Sequence, residues 1–349
     1  MCIRDRSQED YERVKMQGER KAREDRVSAA ERVYDGPPQV YPSKVNPRYH
    51  QSSWIADQAI ELIQSTPSEQ PFFLMCSFVD PHHPFDPPES YMKKYDPEKL
   101  SSPFYKEGEL EDKPPQFSMH RTGHGYGNEK YDYRKLTDLQ WREIKSAYYG
   151  MITLIDENIG RILDVLEQNK MSEDTLILFT NDHGELLGDH GLLFKGPFMY
   201  DCLIKAPMII RWPGVIPSGS RYRQITEHVD IMPTILDLAG VPIPRGVQGT
   251  SMATIVRGDE GVGHEYALTE FSCYDWGLMC KTLTGKRYKL TYYAGEDFGE
   301  LYDRKNDPNE TQNLWEDPEY TLIKEQLMHK LLDRLIQTED PLPLRIGKY

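Results

Sequence analysis

At 349 residues, 38% of them apolar, the chain is long enough for a substantial core and a lesser one, so one large and one small domain is expected. A formal net charge of -14 excludes a general nucleic-acid partner, because phosphate binding needs a basic surface. No apolar stretch approaches the roughly 18 to 20 residues of a membrane span, and five scattered cysteines without a C-x-x-C pair encode neither a zinc site nor a disulfide framework.

The opening MCIRDR reverse-translates to the end sequence of a transposase used to fragment DNA, so residues 1–6 read as foreign to the natural chain. A longer natural protein, with its N-terminal half and any signal peptide upstream, is the expectation. Residues 7–33 carry dense charge of both signs and few apolar anchors, and a Pro-rich stretch follows, so 1–50 reads as a charged helix and linker. SSWIADQAIELIQS then spaces Trp54, Ile55, Ala59, Leu62 and Ile63 at a helical period behind a serine. The continuous apolar run PFFLMCSFV, 71–79, predicts a strand covered on both faces, with Cys76 as a small buried hydrophobe. From DPHHPFDPPESY to about Asp138 the chain is rich in Pro, Gly, Tyr and His and reads as a long functional loop.

TDLQWREIKSAYYGMITLIDENIGRILDVLEQNK predicts one long helix opening near Thr137. DTLILFT (174–180) and APMIIRWPG (206–214) read as two more buried strands, with Cys202 between them as a second buried thiol. HVDIMPTILDLAGV predicts a short helix entered at Pro233 and stopped at Gly240. This alternation predicts an α/β fold, a mainly parallel sheet flanked by helices, over 51–257. Beyond it YALTEF, CKTLTGKRYKLTYY and GELYDRKNDPNETQNL read as short antiparallel strands closed by the amphipathic helix LIKEQLMHKLLDRLIQ, a small α+β subdomain over 258–349.

Sites in open α/β sheets form beyond the carboxyl ends of strands. After 174–180 come Asn181, Asp182, His183, Gly184 and Glu185, and after 71–79 come Asp80, Pro81, His82 and His83. Asp182 and His183 can both turn towards one ion, with Gly184 permitting a tight backbone. An oxygen plus an imidazole suits Mn or Zn, whereas calcium prefers oxygen alone. Two ligands do not make a metal site, and taken alone the pair reads as a turn with a surface histidine.

The order of motifs reverses those odds. F-T-x-D-H-G-E-x-x-G-D-H-G-L-x-x-K, then Y-x-x-x-I-x-A-P-M-I-I-R-W-P-G, with P-H-x-P upstream and V-D-I-x-P-T-I-L-D-L-A-G downstream, resembles the sulfatase family of the alkaline-phosphatase superfamily from about Trp54 to Leu314. The resemblance implies that Asp182 and His183 are metal ligands, at a position where many relatives place Asp-Asn on calcium; Ca2+ is the implied ion, with Mn2+ the alternative that His183 raises. It implies that Lys195 contacts the sulfate near its bridging oxygen, where a cation offsets charge on the leaving group. His82 would contact the substrate too and protonate or orient the leaving oxygen, a task for a group titrating near neutrality. His190 either lines the substrate pocket or pins its turn, and His83 reads as an ordinary loop side chain. Asp230 is expected to cap the helix it precedes and Asp156 to approach the sheet from mid-helix; His228 stays open.

The family's nucleophile is a formylglycine made from Cys or Ser in a C/S-x-P-S/T-x-R-type context. None of the five cysteines has that context, and STPSE, 65–69, puts Glu69 where arginine is required. The G-K-W-H-L-G-like segment is missing as well. The resemblance therefore implies a sulfuric ester hydrolase for a sulfated carbohydrate or other organic sulfate whose formylglycine and two further metal aspartates lie upstream, leaving this chain incomplete and with an unpaired sheet edge. A phosphonate or phosphodiester hydrolase, or a non-catalytic relative that binds anions or glycans, are the alternatives. The implied partner is a sulfated small molecule or glycan, with no nucleic acid and no membrane span, in a periplasmic or extracellular setting; 84–136, with His120 and His124, is where selectivity is expected.

Overall fold

The computed structural model describes residues 37–67, 69–125, 131–261, 263–273 and 278–338. The expected charged helix of 7–33 lies outside the described residues. In chain order the helices are α1 (Gln51–Ser65), α2 (Glu89–Met92), α3 (Pro115–Arg121), α4 (Asp138–Gln168), α5 (Asp201–Ile204), α6 (Ile231–Leu238), α7 (Ala253–Val256) and α8 (Thr321–Gln337). The strands are β1 (Ile177–Thr180), β2 (Met208–Arg211), β3 (Tyr266–Cys273), β4 (Leu278–Gly285), β5 (Tyr288–Tyr293) and β6 (Gly299–Asp303). No described helix is long and apolar enough to cross a membrane.

These residues form two compact units. One holds the described residues up to Phe104 with those of 131–175 and 187–194. Its spine is α4, opened by a reciprocal capping box in which Gln140 N–H donates to Thr137 Oγ1 at 3.2 Å and Thr137 N–H to Gln140 Oε1 at 2.9 Å. Trp141, Ile144, Ala147, Met151 and Leu154 recur at helical spacing and are buried, four of them gathering with Phe85, Tyr133 and Phe194 into one core. Asn158 Nδ2 bridges to Ser53 Oγ of α1 at 3.2 Å, tying the two helices by a buried polar contact. Asp156 does not approach a sheet. It is exposed, because helical geometry turns it away from the face of Leu154 and Ile155.

The run 71–79 departs from expectation. It is extended, but it joins no ladder among the described residues, and exposure alternates along it: Phe73 is 80% and Met75 79% exposed. The apolar pattern is that of a strand covered on both faces, but only the side of Phe72, Leu74, Cys76 and Phe78 is partly covered by described residues. The stretch from 84 to 136 is less loop-like than its composition suggests, since it contains α2, α3 and two single 3-10 turns.

The second unit holds 105–125, 176–186 and the described residues from Lys195 onward. β1 and β2 pair antiparallel, with Ile177 opposite Arg211 and Thr180 opposite Met208. Met208 and Ile210 pack with Leu176 and Trp212 against Leu238, Met252 and Val256 of α6 and the α7 region. The four strands β3 to β6 form an antiparallel meander in sequence order, as the C-terminal sequence predicts. Leu283, Leu290 and Leu301 share one face, on which Leu327 and Leu331 of α8 pack. Each such side chain taken fully out of water contributes about 1.5–3 kcal/mol.

Asp230 departs from its expected role. It stands at the N-cap of α6 but makes no side-chain cap bond. Its carboxylate instead accepts from Glu227 N–H, Thr250 N–H and His264 Nε2, each at 2.8 Å.

Candidate active site

Asp182 and His183 stand just past the carboxyl end of β1, where the chain leaves the ladder. His183 N–H donates to Asp182 Oδ1 at 2.8 Å, and Asn181 Nδ2 donates to His183 O at 2.9 Å, which fixes the turn. His183 Nδ1 lies 2.8 Å from Gly184 O. A carbonyl only accepts, so Nδ1 carries the proton and Nε2 of the neutral ring presents a lone pair. That Nε2 is 3.6 Å from Asp182 Oδ2, and both side chains face solvent, 39% and 86% exposed. A carboxylate and an imidazole at that separation can share one cation, and an Nδ1–H held by a backbone carbonyl is the usual support of a ligating histidine. The pair therefore fits a divalent ion as part of its ligand set; the imidazole favours a transition metal such as Mn2+ over Ca2+.

Gly184 explains the tightness of the loop. Its N–H donates to Leu203 O at 2.7 Å, and a Cβ there would collide with Cys202 O of α5. Lys195 belongs to the same unit. Burial pulls its ammonium below the ordinary lysine value, against the opposing pull of Glu185 and Asp182. Lys195 is thus in the electrostatic field of the metal-ligand candidate. Glu185 is a neighbour the sequence motif contains but did not flag.

His82 and His190 belong to the other unit. His82 is exposed, with its N–H donating to Val79 O at 3.1 Å and its Nδ1 2.5 Å from His83 O. The same tautomer argument leaves His82 Nε2 as the outward nitrogen. His83 is more than a loop side chain: its ring stacks on His82 at 4.1 Å and lies 4.3 Å from Phe194. Asp80, two residues before His82, accepts from Ser52 Oγ and lies 3.5 Å from His50 Nδ1 at the start of α1. His190 is 5% exposed in a left-handed conformation (φ 59°); its N–H donates to Phe104 O at 2.6 Å and its ring meets the Phe104 ring edge. Those contacts are of the kind that hold a turn. His120 is fully buried against Phe198, so of the two loop histidines His124 is the exposed one. His228 Nε2 lies 3.3 Å from Thr180 Oγ1 at the end of β1.

One cluster escaped sequence reading altogether. Glu227, Asp230 and His264 bring ligand-type atoms within 4.8 Å of one another. Their oxygens are already engaged: Glu227 Oε1 accepts Leu268 N–H at 2.6 Å and Oε2 pairs with Arg334 of α8, while Asp230 is occupied as described above. With these partners taken, the three groups form an internal ion cluster in which His264 lies 2.8 Å from Asp230 and 3.5 Å from Glu227, and Arg334 of α8 pairs with Glu227. Residues this distant in sequence leave no local signature.

Comparison with known proteins agrees with the motif order. Residues 16–241 match the sulfatase family, and 188–337 match the C-terminal part of N-sulphoglucosamine sulphohydrolase. The chain is 30% identical over 275 residues to an arylsulfatase of Clostridium perfringens, covering 78% of this chain and 55% of that one. It is 32% identical over 229 residues to an N-acetylglucosamine-6-O-sulfatase of Bacteroides thetaiotaomicron, covering 62% and 41%. The solved phosphonate monoester hydrolase of Agrobacterium radiobacter superposes with a TM-score of 0.77 at 26% identity, over 88% of this chain and 65% of that one. The chain belongs to the sulfatase family and has the alkaline-phosphatase-like α/β fold with a C-terminal antiparallel sheet. It spans about half the length of the curated relatives it matches.

Proposed function

We propose that this chain carries the sulfate-binding cations and part of the metal-binding set of a sulfuric ester hydrolase acting on a sulfated carbohydrate. The observation that carries the reading is the approach of Asp182 Oδ2 to His183 Nε2 at 3.6 Å, in a loop whose field reaches Lys195. The similarity to an N-acetylglucosamine-6-O-sulfatase supports a sugar ester over other organic sulfates. Export to the periplasm or cell exterior fits such a substrate.

In this reading Asp182 and His183 would hold a divalent cation, Mn2+ or Ca2+, whose chemistry is to polarise the sulfate oxygens as a Lewis acid. Lys195 binds the same anion and offsets the charge that gathers as the bond from sulfur to the alcohol oxygen breaks. By the family resemblance, the histidine in the position of His82 would protonate that departing oxygen, so that the product leaves as a neutral alcohol. Positioned general acids contribute roughly 100- to 10,000-fold. The formylglycine expected of the family lies outside the residues of this chain that carry the proposal.

Titration of the purified chain with Mn2+ and Ca2+ tests the metal claim. Asp182→Asn and His183→Ala are expected to weaken the preferred ion about tenfold or more each; an affinity indifferent to both substitutions overturns the reading. The likeness to a phosphonate monoester hydrolase favours a second substrate class. Competition between an aryl sulfate and an aryl phosphonate monoester for the metal-loaded chain decides between them, the tighter ligand naming the class.

A further inference from the structure

The small antiparallel sheet buries a lysine completely. Lys289 of β5 is 0% exposed, yet its Nζ has three partners: Met199 O at 2.9 Å, Asp201 Oδ1 at 2.7 Å and the Glu310 carboxylate. An ammonium out of water is tolerated only when paired this fully. Glu310, 2% exposed, also accepts Asp201 N–H on its second oxygen at 2.9 Å, and its backbone carbonyl takes Lys113 Nζ at 2.9 Å. Arg304 reaches the other oxygen of Asp201 at 2.5 Å. Burial pushes the Asp201 carboxyl up, but Lys289 and Arg304 outweigh it and hold it below the ordinary range. Tyr293, on the same strand as Lys289, adds a contact from its hydroxyl to Pro197 O at 3.4 Å.

What the sheet grips is the segment two to six residues beyond Lys195. Asp201 opens the single turn α5, and α5 is the surface on which Gly184 rests, by its N–H to Leu203 O and by a contact too close for any side chain. Asp182 and His183 immediately precede that glycine. A chain of direct contacts therefore runs from Lys289 through Asp201 and α5 to the turn carrying both candidate ligands, and a second runs from Lys289 through Met199 to the segment carrying Lys195.

We propose that Lys289, with Glu310, is a positioning residue of the sulfatase site, clamping α5 so that the Asp182–His183 turn keeps the spacing that a cation requires. The role in catalysis rests on the function proposed above; the clamp itself does not.

Hydrogen exchange at the Gly184 amide, read in the full chain, tests the clamp. Lys289→Met is expected to speed that exchange roughly tenfold or more while the amides of the β3–β4 ladder stay protected. Asp201→Asn, which keeps the shape and removes the charge, is expected to act in the same direction and serves if Lys289→Met does not fold. Leu327→Ala, a loss of packing on the opposite side of the sheet, is expected to leave Gly184 unchanged relative to that ladder. An unaltered Gly184 amide in a folded Lys289→Met or Asp201→Asn chain overturns the clamp, as does an equal acceleration in Leu327→Ala. Mn2+ titration separates the two layers: affinity falling several-fold in Lys289→Met supports the positioning role. Gly184 loosening with a Mn2+ affinity indifferent to Asp182→Asn removes the site and the positioning role while leaving the structural clamp.

Discussion

At the scale of single residues, the informative contrast is between Lys195 and Lys289. Both are lysines drawn out of water, but Lys289 is neutralised by two carboxylates inside the protein, whereas Lys195 is half-buried and feels Glu185 and Asp182 only as a field. Burial dominates at Lys195 and lowers its pKa below 10.5. The charged form exists below the pKa, so an anion held by Lys195 binds at low pH and is released as pH rises, with a midpoint under that of an ordinary lysine. Sulfate affinity measured against pH checks this. Lys195→Met is expected to cost about 2 kcal/mol, roughly 30-fold in affinity, and to abolish the alkaline limb. Asp182, Lys195 and His82 could be singled out as candidates because their motifs keep a fixed order along the chain. The tautomer of His183 was not legible, since it depends on a carbonyl one residue away turning inward. Nor was Lys289, whose partners Met199, Asp201 and Glu310 are brought together only by tertiary folding.

Elements were legible wherever one repeat period met one partner. In α8 Leu327 and Leu331 are four residues apart, so the helix presents a single stripe, and the sheet supplies Leu283, Leu290 and Leu301 to receive it. Leu331, 2% exposed, is thus expected to cost about 2–5 kcal/mol on substitution by alanine, measured by urea denaturation, with the slope against denaturant unchanged if only packing is lost. α4 was equally clear because Thr137 and Gln140 spell its capping box. The run 71–79 shows the limit of the same method. Periodicity reports what a strand needs on its faces, and pairing depends on a neighbour that its own residues do not encode. Asp230 departs for a related reason: its carboxylate closes the turn before the helix through Glu227 N–H, and Thr250 and His264 take the rest.

For the molecule as a whole, charge and apolar surface pull in opposite directions. A net charge of -14 makes copies of the chain repel one another at low ionic strength. Against this, Phe73, Met75 and Val79 stand 80%, 79% and 57% exposed on one side of an extended segment. The backbone of that segment has no ladder partner among the described residues. Extended backbone with an apolar face is a template for pairing with another chain. Repulsion acts over about 8 Å at physiological salt and about 30 Å at 0.01 M, whereas apolar contact is not weakened by screening. Salt should therefore promote self-association of the chain, the reverse of what an ion-paired interface would do. Sedimentation velocity across a salt series checks the sign, and Phe73→Glu with Met75→Glu is expected to keep the chain monomeric throughout. Association that falls with salt, or that survives both substitutions, would assign the contact to charged surface elsewhere.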